Sequence, residues 1–232
     1  MKTYAVFFGL SLLSSAAIAN DYNTQIDVDY LNIDSFNTIK LEGTYYLNNV
    51  TTNNTAWSEA AFMGRNTSAN LSYTDFDGDA YQLVLGADYY HNDLFVGLDV
   101  TYFDVDGGGD DTGLVGEIGY FFDKNWMVSV SGADEEFSDS LALNTKYIAT
   151  LNNGTFVNVE VSYLNLDNDF TAAADYFWTA QSSVGLSLST EEGINGTIRA
   201  QHFFTPAISA RLEYVSLENS DDGLLFGITG RF

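Results

Sequence analysis

Gly223-Leu224-Leu225-Phe226-Gly227-Ile228-Thr229-Gly230-Arg231-Phe232 closes the sequence. Laid out as an extended strand, it puts Leu224, Phe226, Ile228 and Phe232 on one face, and Gly223, Gly227, Thr229 and Arg231 on the other. A strand with one apolar face and one small or polar face separates two different environments. A last strand of this kind pairs with the strand before it on one edge and needs the first strand on the other. The expected architecture is therefore a sheet closed on itself.

The alternating apolar positions that lead to a terminal Phe resemble the last-strand assembly signal of bacterial outer-membrane β-barrels. That resemblance implies the barrel-assembly machinery as a partner, with Leu224, Phe226, Ile228 and Phe232 carrying the signal. The beginning of the chain agrees. Lys2 gives a short basic start, Ala5 to Leu13 is an apolar stretch too short to cross a bilayer, and Ala17-Ile18-Ala19 is a small-x-small cleavage pattern. Residues 1–19 read as a signal peptide and 20–232 as the barrel. No Cys follows the cleavage pattern, which excludes a lipid-anchored product.

Composition narrows the class further. The 232 residues include no Cys, one Pro and 20 Gly, with aromatic residues at 15% and a mean hydropathy of -0.05. After the first 19 residues no apolar run reaches the length of a membrane helix. Apolar residues instead alternate with polar ones, as in a barrel that turns one half to lipid and the other inward. Without cysteine there is no disulfide scaffold and no thiolate metal site. A formal net charge of -24 opposes any nucleic-acid partner, since phosphates are repelled.

In chain order, strand candidates arrive as about seven hairpins. The first pair shows Ile26, Val28 and Tyr30, then Ile39, Leu41, Tyr45 and Leu47, on the outer face. A longer connection, Asn48 to Thr67, contains T-T-N-N-T and W-S-E-A-A-F-M-G-R and is the candidate plug. The whole reads as an all-β, antiparallel, up-and-down transmembrane barrel of about 14 strands, with 12 as the alternative. An even number places both termini on the periplasmic side. Four hairpins repeat one design, running down to an aromatic cluster, turning briefly and climbing again: from Gly86, Gly116, Ala173 and Arg199. Aromatic rings beside tight turns suit an interfacial girdle. Turns at the opposite end are acidic, at Asp75 to Asp79, Asp104 to Asp111, Ala133 to Glu136, Asn165 to Asp169, Glu191-Glu192 and Asn219 to Asp222. They face outward, toward outer-membrane lipid and lipopolysaccharide. They read as a solvated anionic rim, since calcium-loop spacing is absent and no metal site is expected.

Function must come from the inward face. There the alternation places Asp27, Asp29, Lys40, Glu42, Asp88, Asp99, Glu117, Lys146, Glu160, Asp175, Arg199, Arg211, Glu213 and Arg231. So many inward charges favour a wet interior over a packed one. The candidate pore-lining set is Glu42, Asp99, Glu117, Lys146, Glu160, Arg199, Arg211 and Glu213. Across the ring, Asp99 is expected to oppose Arg199, and Glu117 to oppose Arg211. Such a transverse field orders water and favours polar, dipolar solutes. Pairing of Arg211 with Glu213, or Lys40 with Glu42, is the competing reading.

The architecture resembles the putative general porins of Gram-negative bacteria. The likeness rests on the leader, the repeated aromatic-turn hairpins, Gly43-Thr44-Tyr45-Tyr46-Leu47 followed by Ser58-Glu59-Ala60-Ala61-Phe62-Met63, and the terminal Phe232. It implies passive diffusion of small hydrophilic solutes and ions across the outer membrane, without a cofactor. Lumen acids outnumber bases, so a weak cation preference is expected. The alternative is a non-conducting structural or adhesive barrel. An enzyme is not expected, because His91 sits in a predicted turn and His202 on the predicted lipid face, neither near a nucleophile backed by a carboxylate.

Overall fold

The computed structural model describes residues 21–34, 36–134, 140–151, 154–164, 168–190, 193–218 and 221–232. The predicted leader, residues 1–19, lies outside them, as do parts of four acidic turns. Fourteen strands form: β1 Asp21–Ile33, β2 Phe36–Thr51, β3 Ser68–Phe76, β4 Ala80–His91, β5 Leu94–Val105, β6 Asp110–Asp123 and β7 Trp126–Ala133. They continue as β8 Ala142–Thr150, β9 Phe156–Leu164, β10 Asp169–Thr179, β11 Ser182–Ser189, β12 Ile194–Thr205, β13 Ile208–Leu217 and β14 Gly223–Arg231. Each pairs antiparallel with its sequence neighbours, and β1 with β14, so the barrel is closed.

The closing seam runs from Gln25 opposite Arg231 to Ile33 opposite Gly223. It is finished by Phe232, whose carbonyl accepts from the Asn23 N–H at 2.8 Å and whose N–H donates to the Thr24 carbonyl at 2.9 Å. The 14-strand reading holds and the 12-strand alternative does not. Two strands outrun their sequence pattern. β2 continues past Leu47 to Thr51, and β6 begins at Asp110 inside an acidic loop, where it pairs with Asp104. In a closed sheet a segment stays extended as far as its partner offers hydrogen bonds, whatever its polarity.

Among the described residues no helix is long and apolar enough to cross a membrane. The outer face of the strands inverts the rule for water-soluble proteins. Ile118, Phe204, Leu188 and Leu47 are each more than 60% exposed. Aromatic rings belt the end that carries both termini, with Tyr120, Phe122, Trp126 and Tyr147 in edge or tilted contact at 5.2–6.4 Å. A second belt, beyond the repeat seen in the sequence, surrounds the opposite end through Tyr30, Tyr73, Tyr163, Phe170 and Tyr214.

The long connection after β2 does not stay outside. Trp57–Glu59 make one 3-10 turn and Ala60–Gly64 a short helix, α1. Arg65, in the left-handed region at φ 52°, ends α1 and turns the chain back toward β3. Buried apolar side chains gather in three clusters, and residues of this connection belong to or pack against all three.

Candidate functional site

The interior is built from the residues that alternate with the lipid-facing ones. Near the terminal end it is filled by the connection. Ala60 packs against Tyr22, Tyr46 and Val50 on β1 and β2. Ala56 and Met63 pack against Ile148, Phe156 and Phe177 on β8 to β10. Phe62 meets Phe121 of β6 at 5.4 Å, and Trp57 meets Phe203 of β12 edge-on at 5.9 Å. The segment therefore touches the wall all the way round, which is the geometry of a plug. Polar ties fix it in place. The Trp57 N–H donates to the Ala180 carbonyl at 2.8 Å, and Arg231 Nη1 donates to the Trp57 carbonyl at 2.9 Å. Glu59 pairs with Lys146 at 2.8 Å. Arg65 donates to the Asn92 carbonyl at 2.7 Å, to Asp93 at 2.8 Å and to the Asp123 carbonyl at 3.2 Å, with its guanidinium 4.1 Å from the Phe121 ring centre. One side chain thus clamps α1 to two hairpin turns.

Above the plug the wall is charged. All eight predicted pore-lining residues fall on inward strand positions, and the structure shows how they are engaged. Lys146 lies between Glu59 and Glu160, 2.8 Å from each. Lys40 pairs with Glu42 at 2.7 Å. Arg199 grips Asp175 with two hydrogen bonds, Nε at 2.7 Å and Nη2 at 2.6 Å. Arg211 Nη2 donates to Asp29 at 2.8 Å. Glu117 accepts a short hydrogen bond from Ser129. Asp99 leans over Gly86 beside Asn70. Among the described residues Glu213 makes no ion pair, although it stands opposite Arg199 in register.

The expected opposition is present in placement but not in pairing. Asp99 and Glu117 lie on β5 and β6, across the ring from Arg199 on β12 and Arg211 on β13. Yet both arginines are held by carboxylates two strands away on their own side, Asp175 on β10 and Asp29 on β1. A lateral partner at hydrogen-bond distance outweighs one across a wet lumen, because attraction falls with distance and solvent screens it. The competing Arg211–Glu213 pair does not form either, whereas Lys40–Glu42 does. What remains is an asymmetry. Among the described residues, Asp88, Asp99 and Glu117 on β4 to β6 have no cationic partner, while on the wall from β8 round to β1 Lys146, Arg199 and Arg211 are each paired with a carboxylate. A cavity of about 400 Å³ stands over the plug, floored partly by Ser58 and Glu59.

Among the described residues neither histidine stands beside a nucleophile backed by a carboxylate. His91 ends β4 and stacks on Tyr89 at 6.3 Å. His202 is on the outer face, as expected, with its Nδ1 2.8 Å from Ser182 Oγ, but the adjacent Phe203 turns inward and is 2% exposed. No group of three or more metal-ligating side chains occurs among the described residues.

The family model described as putative general bacterial porin matches residues 1–143 and 130–232, which together span the chain. The chain belongs to the putative general bacterial porin family. It is an outer-membrane, transmembrane β-barrel porin of the Gram-negative type, and family and fold point to a channel rather than an enzyme. Among solved structures, the Acinetobacter baumannii outer membrane protein Omp33 is similar at a TM-score of 0.79 with 20% identity, covering 92% of this chain and 99% of that one. A KdgM porin in complex with disordered oligogalacturonate is similar at a TM-score of 0.50 with 8% identity, over 90% and 99%. At these identities the likeness concerns the fold. No curated protein matches the sequence.

The residues that sequence reasoning missed are those that hold the porin's plug: Trp57, Glu59, Phe62 and Arg65. Their signal was present, since W-S-E-A-A-F-M-G-R is the one long stretch between strands without two-residue alternation.

Proposed function

We propose that this porin passes small hydrophilic solutes and ions with a weak preference for cations, and that the 52–67 connection is its gate. The observation that carries the reading is a closed barrel whose inner wall is charged above a plug tied by separable polar contacts. An unpaired carboxylate trio on β4 to β6 gives the lumen an excess of negative charge, which raises the local concentration of cations. Both termini and the plug lie at the periplasmic end, and the acidic turns face outward. The two aromatic belts lie at headgroup depth among outer-membrane lipid and lipopolysaccharide. The barrel-assembly machinery reads the Leu224, Phe226, Ile228 and Phe232 face, of which Leu224 and Phe226 are about half exposed.

The test is the zero-current potential of single channels in a planar bilayer under a salt gradient. A potential of cation-selective sign is expected, becoming larger when Arg199 and Arg211 are replaced by Ala. Zero potential, or anion-selective sign, contradicts the preference. Folded protein that yields no current steps, with the plug intact or removed, leaves the structural or adhesive barrel as the function.

A further inference from the structure

The cavity over the plug offers more than a wet wall. Its lining carries seven carboxylates and four cationic side chains, and the cations are unequally committed. Arg199 gives Asp175 two donors. Arg211 gives Asp29 a single hydrogen bond; its Nε is covered and has no partner in the protein, while the side chain as a whole is 36% exposed, so a solute meets its Nη end. Glu213 stands two residues further along β13 on the same face, about 7 Å away along the strand. It makes no ion pair among the described residues, and it does not pair with Arg211. An under-used guanidinium and a carboxylate that makes no ion pair, though it stands opposite Arg199 in register, are thus presented side by side, both lining the same cavity.

This arrangement discriminates by charge pattern. A simple anion gains Arg211 but meets an excess of carboxylates. A simple cation gains Glu213 but leaves the guanidinium fork unfilled. A solute with an ammonium and a carboxylate on neighbouring atoms satisfies both, and the cavity volume lies within the range of small-molecule sites. We propose that the cavity is a binding site for small zwitterions of the α-amino-acid class, with the carboxylate on Arg211 and the ammonium on Glu213. The proposal rests on the reading of the lumen as a solute path.

The test is saturation-transfer NMR on the refolded full barrel in detergent micelles, comparing L-alanine, L-lactate and L-alaninamide as zwitterion, anion and cation of one size. Saturable transfer to L-alanine is expected, about tenfold tighter than to either analogue, as loss of one charged hydrogen bond implies. Arg211→Lys, which keeps the charge beside Asp29 but loses the fork, and Glu213→Gln should each weaken alanine binding by a similar factor. Equal binding of the three solutes, or alanine binding unchanged in both variants, overturns the proposal. Bilayer recordings on the same preparations keep the two readings apart. Conduction without alanine preference sinks the site and leaves the porin, while alanine binding without conduction does the reverse.

Discussion

Asp175, Gly185 and Arg199 stand in one row across β10, β11 and β12, and Asp29, Gly227 and Arg211 repeat that row across β1, β14 and β13. The central glycine is what lets the outer two meet, since a Cβ on Gly185 or Gly227 would run into the carboxylate that bends over it. Asp175 is 6% exposed, so its partner matters for stability. Arg199→Ala should cost about 3 kcal/mol by stranding that charge, and the double variant with Asp175→Ala should recover most of it. Urea unfolding in lipid vesicles measures both, and equal losses in single and double variants would contradict the account. Gly185→Ala should destabilise in the same assay by forcing the pair apart. At the distal rim the Tyr214 hydroxyl and the Leu217 N–H both donate to Asp222, which holds its carboxyl below the usual carboxylate range. A depressed value means that this tie is complete above the ordinary carboxylate pKa and is lost as pH falls through the lowered one. The protection of the Leu217 amide, its exchange rate taken relative to that of an unprotected amide at the same pH, should therefore fall on strong acidification, and in Asp222→Asn it should be low already at neutral pH.

At the scale of elements, the strands and the candidate plug segment were legible, and the contacts that hold the plug were not. Period-two alternation gave the inward and outward faces of nearly all strands, because lipid on one side and a polar lumen on the other penalise a slip of one residue; Phe203, expected beside His202 on the lipid face, is the exception. The connection after β2 announced itself by lacking that period, but its partners are remote: Arg65 reaches Asp93, 28 residues on, and Asp123, 58 residues on. Nothing in the local sequence of α1 specifies those turns. The clamp gives a direct expectation. Arg65→Ala removes several charge-assisted hydrogen bonds at once, and loss of even one should raise the open fraction of the plug about tenfold. Faster chymotryptic cleavage at Trp57 and Phe62, with the barrel intact on a gel, would register the change. Cleavage at the parental rate would show that the clamp does not hold the plug.

For the whole molecule, strand number follows from the run of hairpins, and closure is completed where Phe232 and β1 satisfy each other's hydrogen bonds. Which charge meets which does not follow. Depth counted up from the short turns ignores the stagger of strands around a tilted barrel, and Asp175 with Arg199 is a contact made along one register row, over the bare backbone of Gly185 on the intervening strand. The central claim is that an aqueous path runs through the barrel and is closed by the plug. Single-channel conductance tests it most directly, comparing the parent with a variant in which residues 52–66 are replaced by a Gly-Ser linker. The variant should show long-lived open steps where the parent shows brief, infrequent openings. A folded variant that conducts no better than a bare bilayer would contradict the account.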